Sequence, residues 1–279
     1  MSSQPKNPRR QQDRTLWLGA PALALFAAFW LLPMARLVKV GASGPTGISA
    51  YWSVVTNANY FQSLVSTVVL SLVVTAVTLA ISFIVGLFLQ RNRFFGKALL
   101  VAMLTFPLAF PGVVVGFMVI ILAGRQGLIA AASAWVLDDP IVFAYSMAGL
   151  FLGYLYFSIP RVILTIMAAA EKLDVSLEEA ARSLGATPWR VTRDVVIPAL
   201  QPALISAGAI CFATSMGAFG TAFTLATKID VLPITIYNEF TNYANFSIAA
   251  SLSIVLGLIT WAALAYARTL AGATSAAAA

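Results

Sequence analysis

Residues 171–200 read EKLDVSLEEAARSLGATPWRVTRDVVIPAL and form the one long charged segment between the apolar runs of this chain. The chain has 10 acidic residues, and half of them lie in this stretch: Glu171, Asp174, Glu178, Glu179 and Asp194. A charged segment between hydrophobic runs is expected to fold at a membrane surface. It is either an amphipathic connector or a contact site for another protein.

The first half of this segment predicts a short helix. Ser176 and Glu179 have the spacing of a capping box, in which a serine begins the helix and a glutamate bonds back to it. Apolar positions then recur at helical spacing and make one small face: Leu177, Ala180, Ala181 and Leu184. Gly185 follows the last of them, where helices commonly end in a left-handed glycine.

The second half predicts another short helix directly after the glycine turn. Thr187 and Pro188 suit its N-cap and its first residue. Val191 and Val195 continue an apolar side, and Pro198 is expected to end the helix. The whole segment is therefore predicted to be two helices with a tight turn between them.

The spacing of these residues resembles the EAA loop of binding-protein-dependent ABC importer permeases, EAA-x3-G-x9-I-x-L-P. The match departs from that pattern only by Val195 in place of isoleucine and Ile197 in place of leucine. In that family the loop docks on a separate ATPase subunit. The resemblance therefore assigns a coupling role to the following residues: Glu179, Ala180, Ala181, Gly185, Thr187, Pro188 and Pro198.

The composition predicts an all-α, polytopic membrane protein. Hydrophobic residues make up 60% of the chain, charged residues 10%, and the mean hydropathy is +0.89. The single cysteine, Cys211, excludes an internal disulfide framework, and the chain has no histidine. We therefore predict no catalytic residues and no metal site. The net charge of +7 is explained by cations at helix ends, so nucleic acid is not an expected partner.

Six apolar runs predict six membrane spans: Leu16–Leu32, Ser63–Leu89, Ala98–Ala123, Ile141–Ala170, Ala203–Ala226 and Ser247–Tyr266. The predicted division is an N-terminal tail (1–15), a permease domain (16–268) that contains the coupling loop (171–200), and a C-terminal tail (269–279). A cleaved signal peptide is the alternative for the first run. The stretches 36–62, 124–140 and 227–246 are expected to be polar connections.

The third and fifth spans carry features that a lipid-facing helix does not need. Prolines break the third, and small polar residues line the fifth, which suits either a pathway or close packing. The candidates to line a pathway are Tyr154, Thr214, Ser215, Gly217, Pro107 and Pro111. Arg161 is expected to snorkel to the cytoplasmic surface, although an arginine held within the membrane would be a functional candidate.

The distribution of lysine and arginine predicts that both termini are cytoplasmic. In that orientation 12 cations lie on the cytoplasmic side: Lys6, Arg9, Arg10, Arg14, Arg91, Arg93, Lys97, Lys172, Arg182, Arg190, Arg193 and Arg268. Only 4 lie on the other side, namely Arg36, Lys39, Arg125 and Lys228, with Arg161 left uncounted. This count places segment 171–200 in the cytoplasm.

The chain has no G-x4-G-K-[ST] sequence, so ATP and its magnesium ion would be bound by a partner. The resemblance implies an ATPase dimer, a second permease subunit, a periplasmic solute-binding protein and a location in the bacterial inner membrane. A secondary transporter remains the alternative, although that class usually carries carboxylates within the membrane and an internal repeat. A membrane enzyme is disfavoured, since no nucleophile motif is present.

Three further stretches resemble one branch of these permeases: 107–116, 215–220 and 232–237. That branch carries polyamines, iron(III), 2-aminoethylphosphonate, sulfate, molybdate and thiamine. Gly217 and Ala218 stand where some polyamine permeases have acidic residues. A polycation needs carboxylates or aromatic faces to cross an apolar bilayer, so this departure weakens the polyamine prediction.

Overall fold

The computed structural model describes residues 20–44, 47–225 and 229–277, and these residues form helices without a strand. The all-α prediction is confirmed. In chain order the helices are α1 (Ala20–Gly41), α2 (Ser49–Thr56), α3 (Ala58–Arg91), α4 (Lys97–Thr105), α5 (Gly112–Ala123), α6 (Leu128–Leu137), α7 (Met147–Ala170), α8 (Val175–Ser183), α9 (Pro188–Met216), α10 (Phe219–Leu225), α11 (Leu232–Thr241) and α12 (Phe246–Ala277).

Within the described part of the chain, six helical stretches are long and apolar enough to cross a membrane: Ala20–Gly41, Ala58–Arg91, Gly112–Leu137, Met147–Ala170, Pro188–Met216 and Phe246–Gly272. The predicted number of spans is therefore confirmed. The third differs from its prediction, since it begins only after Pro111. The residues before it form a shorter apolar helix, Lys97–Ala109.

All three stretches that the sequence predicted as polar connections contain short helices, and α2 lies within the first of them, 36–62. Between residues 124 and 140, α6 begins after Gly127 and ends at Leu137, and the next residue, Asp138, has a left-handed backbone with φ +56°. Between residues 227 and 246, α11 begins with Pro233 in its first turn. Both are apolar enough to pack on neighbouring helices, and such contacts cannot be inferred from local polarity alone.

The ends of several spans also differ from their predicted bounds. Helix α1 continues past Pro33 to Gly41, because the wider π-helical turn Ala27–Leu31 before the proline accommodates its missing N–H. Helix α7 begins at Met147 rather than Ile141, because the Ser146 side chain caps it by accepting the Ala148 N–H at 3.2 Å. Helix α12 continues beyond residue 268, where the C-terminal tail was predicted to begin.

The fifth predicted span is interrupted near its end. Helix α9 ends at Met216, and the chain turns through Gly217 and Ala218 before α10 begins. The Tyr154 hydroxyl donates to the Ala218 carbonyl at 2.7 Å and holds this turn against α7.

The core lies where α3, α7 and α9 pack together, with α5 and α10 beside them. Its largest buried side chains include Leu150, Tyr154, Ile166 and Leu225. Close approach needs small residues: a Cβ added at Gly116 of α5 would lie 2.6 Å from the Thr224 Cβ of α10. This packing fixes the two broken helices, α4–α5 and α9–α10, next to each other.

Candidate functional site

Segment 171–200 begins its first helix two residues earlier than the sequence predicted. The Asp174 side chain accepts the Ser176 N–H at 2.9 Å and caps α8, so the capping box of Ser176 and Glu179 is wrong. Aspartate and serine are equally good caps, so local sequence does not choose between them. Hydrogen bonds from Ser176 hold the pKa of the Asp174 carboxyl below its usual value.

The predicted glycine turn follows α8. Gly185 has φ +82°, which a residue with a Cβ rarely adopts. Its N–H donates to the Arg182 carbonyl at 2.9 Å, and the Ala186 N–H donates to the Ala181 carbonyl at 3.1 Å. These are the two hydrogen bonds of a Schellman motif, so the turn has a fixed shape rather than a flexible one.

The second helix starts where the sequence predicted it. The Thr187 hydroxyl accepts the Arg190 N–H at 3.4 Å, and Pro188 is the first residue of the helix. Pro198, however, does not end the helix. The turn Thr192–Val196 is a wider π-helix, and this geometry accommodates the proline that follows it. Helix α9 is therefore continuous from the polar segment into the membrane span.

One side of the segment is anchored to the membrane domain. Val191, Val196 and Leu200 are buried together with Leu87 near the end of α3. The other side exposes large apolar side chains: 90% of Leu184, 68% of Trp189 and 56% of Leu177. The candidate coupling residues Glu179, Ala180, Gly185, Thr187, Pro188 and Pro198 are likewise exposed, and Ala181 is half-buried. We call this exposed side, Leu177–Trp189, the coupling surface.

A buried ion pair that local sequence does not predict lies near this surface. The Glu178 carboxylate is almost wholly buried and pairs with the Arg91 guanidinium at the end of α3. It also lies 3.5 Å from the Arg182 guanidinium one turn later in α8. The spacing of Glu178 and Arg182 suggests a helical pair, but nothing local indicates Arg91, which is 87 residues away in the sequence.

The candidate pathway residues fall into two groups. Tyr154 and Ser215 are only 2% and 0% exposed, so they pack inside this chain. The other four candidates, Pro107, Pro111, Thr214 and Gly217, are exposed or line cavities. Gly217 lines an apolar cavity of about 670 Å³, and Pro111 is exposed at the start of α5.

A second cavity, of about 280 Å³, lies between the broken helices. We call it the Arg161 cavity, and its lining is as follows: Pro107, Leu108, Phe110, Gly112, Phe157, Arg161, Thr214, Ala218, Gly220 and Thr221. The Thr221 hydroxyl donates to the Gly112 carbonyl at 2.9 Å and so joins the two broken helices at its wall. The arrangement combines one cationic side chain with two hydroxyl groups.

Several relatives support the assignment of the chain to a transporter family. The chain is 29% identical over 266 residues to PhnU of Salmonella typhi, named as a 2-aminoethylphosphonate transport system permease protein, covering 91% of this chain and 92% of PhnU. It is 36% identical over 197 residues to the molybdenum transport system permease protein ModB of Escherichia coli, covering 67% and 85%. It is 30% identical over 246 residues to the sulfate transport system permease protein CysT of Escherichia coli, covering 87% of each.

The fold agrees with this assignment. A chain of a bacterial alginate ABC transporter, solved in complex with a periplasmic protein that binds an alginate pentasaccharide, superposes with a TM-score of 0.78 at 16% identity, covering 93% of this chain and 94% of that chain. A family model described as a binding-protein-dependent transport system inner membrane component matches residues 79–272. This match decides against the secondary transporter that the sequence left open. The chain belongs to the family of binding-protein-dependent transport system inner membrane components.

Proposed function

We propose that this permease subunit docks on a separate ATPase through the coupling surface and forms half of a solute pathway. The observation that carries the docking proposal is the exposure of Leu177 on α8, Leu184 at the glycine turn and Trp189 at the start of α9. Apolar side chains grouped on a surface mark contact sites for other proteins. Ala180 and Gly185 lie between them and leave room for a partner to approach closely.

The orientation of the chain follows from its charges in this proposal. The cations of the turn after α3 and of segment 171–200 lie on the cytoplasmic side, and both termini lie there too. An ATPase in the cytoplasm then has access to the coupling surface. The opposite face of the permease receives solute from a periplasmic binding protein.

The subunit needs partners to complete the transporter. ATP and Mg²⁺ would be bound by a dimer of ATPase subunits, since the sequence lacks a phosphate-binding loop of its own. A second permease subunit would form the other half of the pathway. We place the wall of this half at the two broken helices, with Pro107, Pro111, Thr214 and Gly217 as lining residues.

The names of three relatives suggest the chemical class of the solute. PhnU is named for a phosphonate, CysT for sulfate, and ModB for molybdenum, whose soluble form in oxygenated water is the oxyanion molybdate. All three solutes carry a small oxyanion group, to which 2-aminoethylphosphonate adds an ammonium group. We therefore propose a small oxyanion as the solute, ahead of iron(III) or a polyamine.

Co-purification tests the docking proposal. The affinity-tagged chain is purified in mild detergent from its own organism, as wild type and as Leu184→Glu. We expect an ATPase to co-purify with the wild type and to be lost from the variant, because a charge on the coupling surface would have to be buried without a partner. Ile48→Glu is the matched control, since Ile48 is a similarly exposed apolar residue far from segment 171–200. An ATPase that stays bound to Leu184→Glu, or is absent from the wild type, contradicts the proposal.

A further inference from the structure

Arg161 belongs to α7, one of the six helices that are long and apolar enough to cross a membrane. Arg161 is the fifteenth of the 24 residues of α7, which places it about 21 Å from the first residue and about 14 Å from the last. The hydrocarbon core of a bilayer is about 30 Å thick, slightly shorter than this helix. A core centred on α7 therefore includes Arg161 well inside its boundary.

No carboxylate in the described part of the chain neutralises this cation. The ion pairs there involve Arg91, Arg182 and Arg193, all at the polar segment or beside it. Five of the six membrane spans contain no aspartate or glutamate, and α9 has one only at Asp194, within segment 171–200. A charged side chain at this depth is costly and normally faces a cavity or a functional partner.

The Arg161 cavity has the features of a built site. Two interruptions of helical structure border it, the break at Phe110 and Pro111 and the turn at Gly217 and Ala218. Irregular backbone at membrane depth is tolerated only where it is buried in protein or lines a water-filled cavity. Hydrogen bonds from Thr221 to Gly112 and from Tyr154 to Ala218 fix both interruptions. The cavity is therefore held open by specific contacts.

We propose that the Arg161 cavity is an intramembrane binding site for the transported solute, and that the solute binds there as an oxyanion against the Arg161 guanidinium. This inference rests on the proposed function, because it needs the cavity to lie on the pathway. A guanidinium presents a planar fork of N–H donors that matches two oxygens of a sulfate, phosphonate or molybdate group. The Thr214 and Thr221 hydroxyls line the same cavity.

The same chemistry excludes cationic solutes from this site. A polyamine or a hydrated iron(III) ion would be repelled by Arg161, and the described spans offer no carboxylate beside it. A single cation also suits transport, since a solute must leave its site as readily as it enters. A carboxylate of the second permease subunit is the other occupant that could neutralise Arg161, and the experiment below distinguishes the two.

The test uses the complete transporter, co-purified through this chain, reconstituted in proteoliposomes and supplied with saturating binding protein. Uptake of labelled sulfate, molybdate, 2-aminoethylphosphonate and spermidine is measured together with ATP hydrolysis. We compare the wild type with Arg161→Gln, Arg161→Lys and the control Arg125→Gln, which removes an exposed cation between α5 and α6. We expect Arg161→Gln to lower the maximum uptake rate of the transported oxyanion at least about tenfold, the effect of losing one charge-assisted hydrogen bond.

Hydrolysis and subunit composition should stay unchanged in Arg161→Gln, and Arg161→Lys should retain part of the uptake. Uptake by Arg161→Gln at the wild-type rate overturns the inference. Dissociation of the subunits, with loss of hydrolysis and uptake together, also overturns it and assigns Arg161 to a contact with the second permease. If the wild-type transporter takes up spermidine and none of the three oxyanions, the anion site is wrong, although the permease assignment stands. If no ATPase co-purifies with the wild-type chain, or if the transporter takes up none of the four solutes, the proposed function itself is wrong.

Discussion

The Arg91 guanidinium pairs with the buried Glu178 carboxylate, and this ion pair joins the end of α3 to the first helix of the coupling surface. The pair is shielded from water on the glutamate side, where only 8% of the side chain is exposed. Helix α8 is therefore attached to the membrane domain through this pair as well as through its chain connections to α7 and α9. A displacement of the coupling surface is expected to move both α3 and α9.

Breaking the ion pair should release α8 from α3. We expect Glu178→Gln or Arg91→Gln to weaken the local attachment by about 1.5–3 kcal/mol, as for a hydrogen bond to a charged group. The measurement is hydrogen exchange of the α8 amides, which should become faster in either variant. The double variant should be no worse than Glu178→Gln alone, because Glu178→Gln already removes the ion pair with Arg91.

Arg193→Gln is the control for this double-mutant cycle, because it removes a different ion pair of the same segment. Its partner, Asp194, is exposed and lies at 3.9 Å, so its loss should have little effect. Strictly additive effects of Glu178→Gln and Arg91→Gln would show that the two residues act separately, contrary to the structure.

The glycine turn should tolerate asparagine better than alanine at position 185. A Cβ on Gly185 meets no atom within 4 Å, so the cost of a substitution arises from φ +82° alone. Alanine in this conformation costs about 1–2 kcal/mol, whereas asparagine adopts it more readily. We expect uptake to fall in Gly185→Ala, to recover in Gly185→Asn, and to be lost in Gly185→Trp, whose bulk would block a docked partner. Equal uptake by all three variants would contradict a fixed turn that meets an ATPase.

Cysteine labelling should separate the pathway candidates. In a Cys211→Ser background, Thr214→Cys should react with a hydrophilic thiol reagent because Thr214 lines the Arg161 cavity. Ser215→Cys should not react, since Ser215 is wholly buried. The extent of labelling at position 214 should change when ATP is added to the assembled transporter. Equal reactivity at both positions would contradict the packing described above.

Local backbone rules were enough to predict part of the coupling surface. The left-handed glycine at position 185 and the start of a helix at Thr187 and Pro188 depend on neighbouring residues only, and both are present. The choice of Asp174 over Ser176 as the cap was not predictable in this way. With Asp174 as its cap, α8 is consistent with the ion pair between Glu178 and Arg91. This ion pair depends on the tertiary structure.

Longer-range features of the membrane domain were predicted less well. Apolar composition gave the number of spans, because each run is long enough to cross a bilayer. It did not predict the turn at Gly217 and Ala218, since this turn is held by the hydroxyl of Tyr154 from another helix. Nor did it predict the continuation of α9 through Pro198, which depends on one wide turn before the proline.

The central claim is that the coupling surface transmits the movement of an ATPase through the rigid helix α9. Inserting two glycines after Leu200 interrupts this helix where it enters the membrane domain. The same insertion after Asp139, in the connection before α7, serves as the control. ATP hydrolysis and solute uptake are measured on one reconstituted preparation of each transporter. We predict that the insertion after Leu200 preserves hydrolysis and lowers uptake at least about tenfold, with the control unchanged. Retained uptake, or the loss of hydrolysis together with uptake, would contradict the claim.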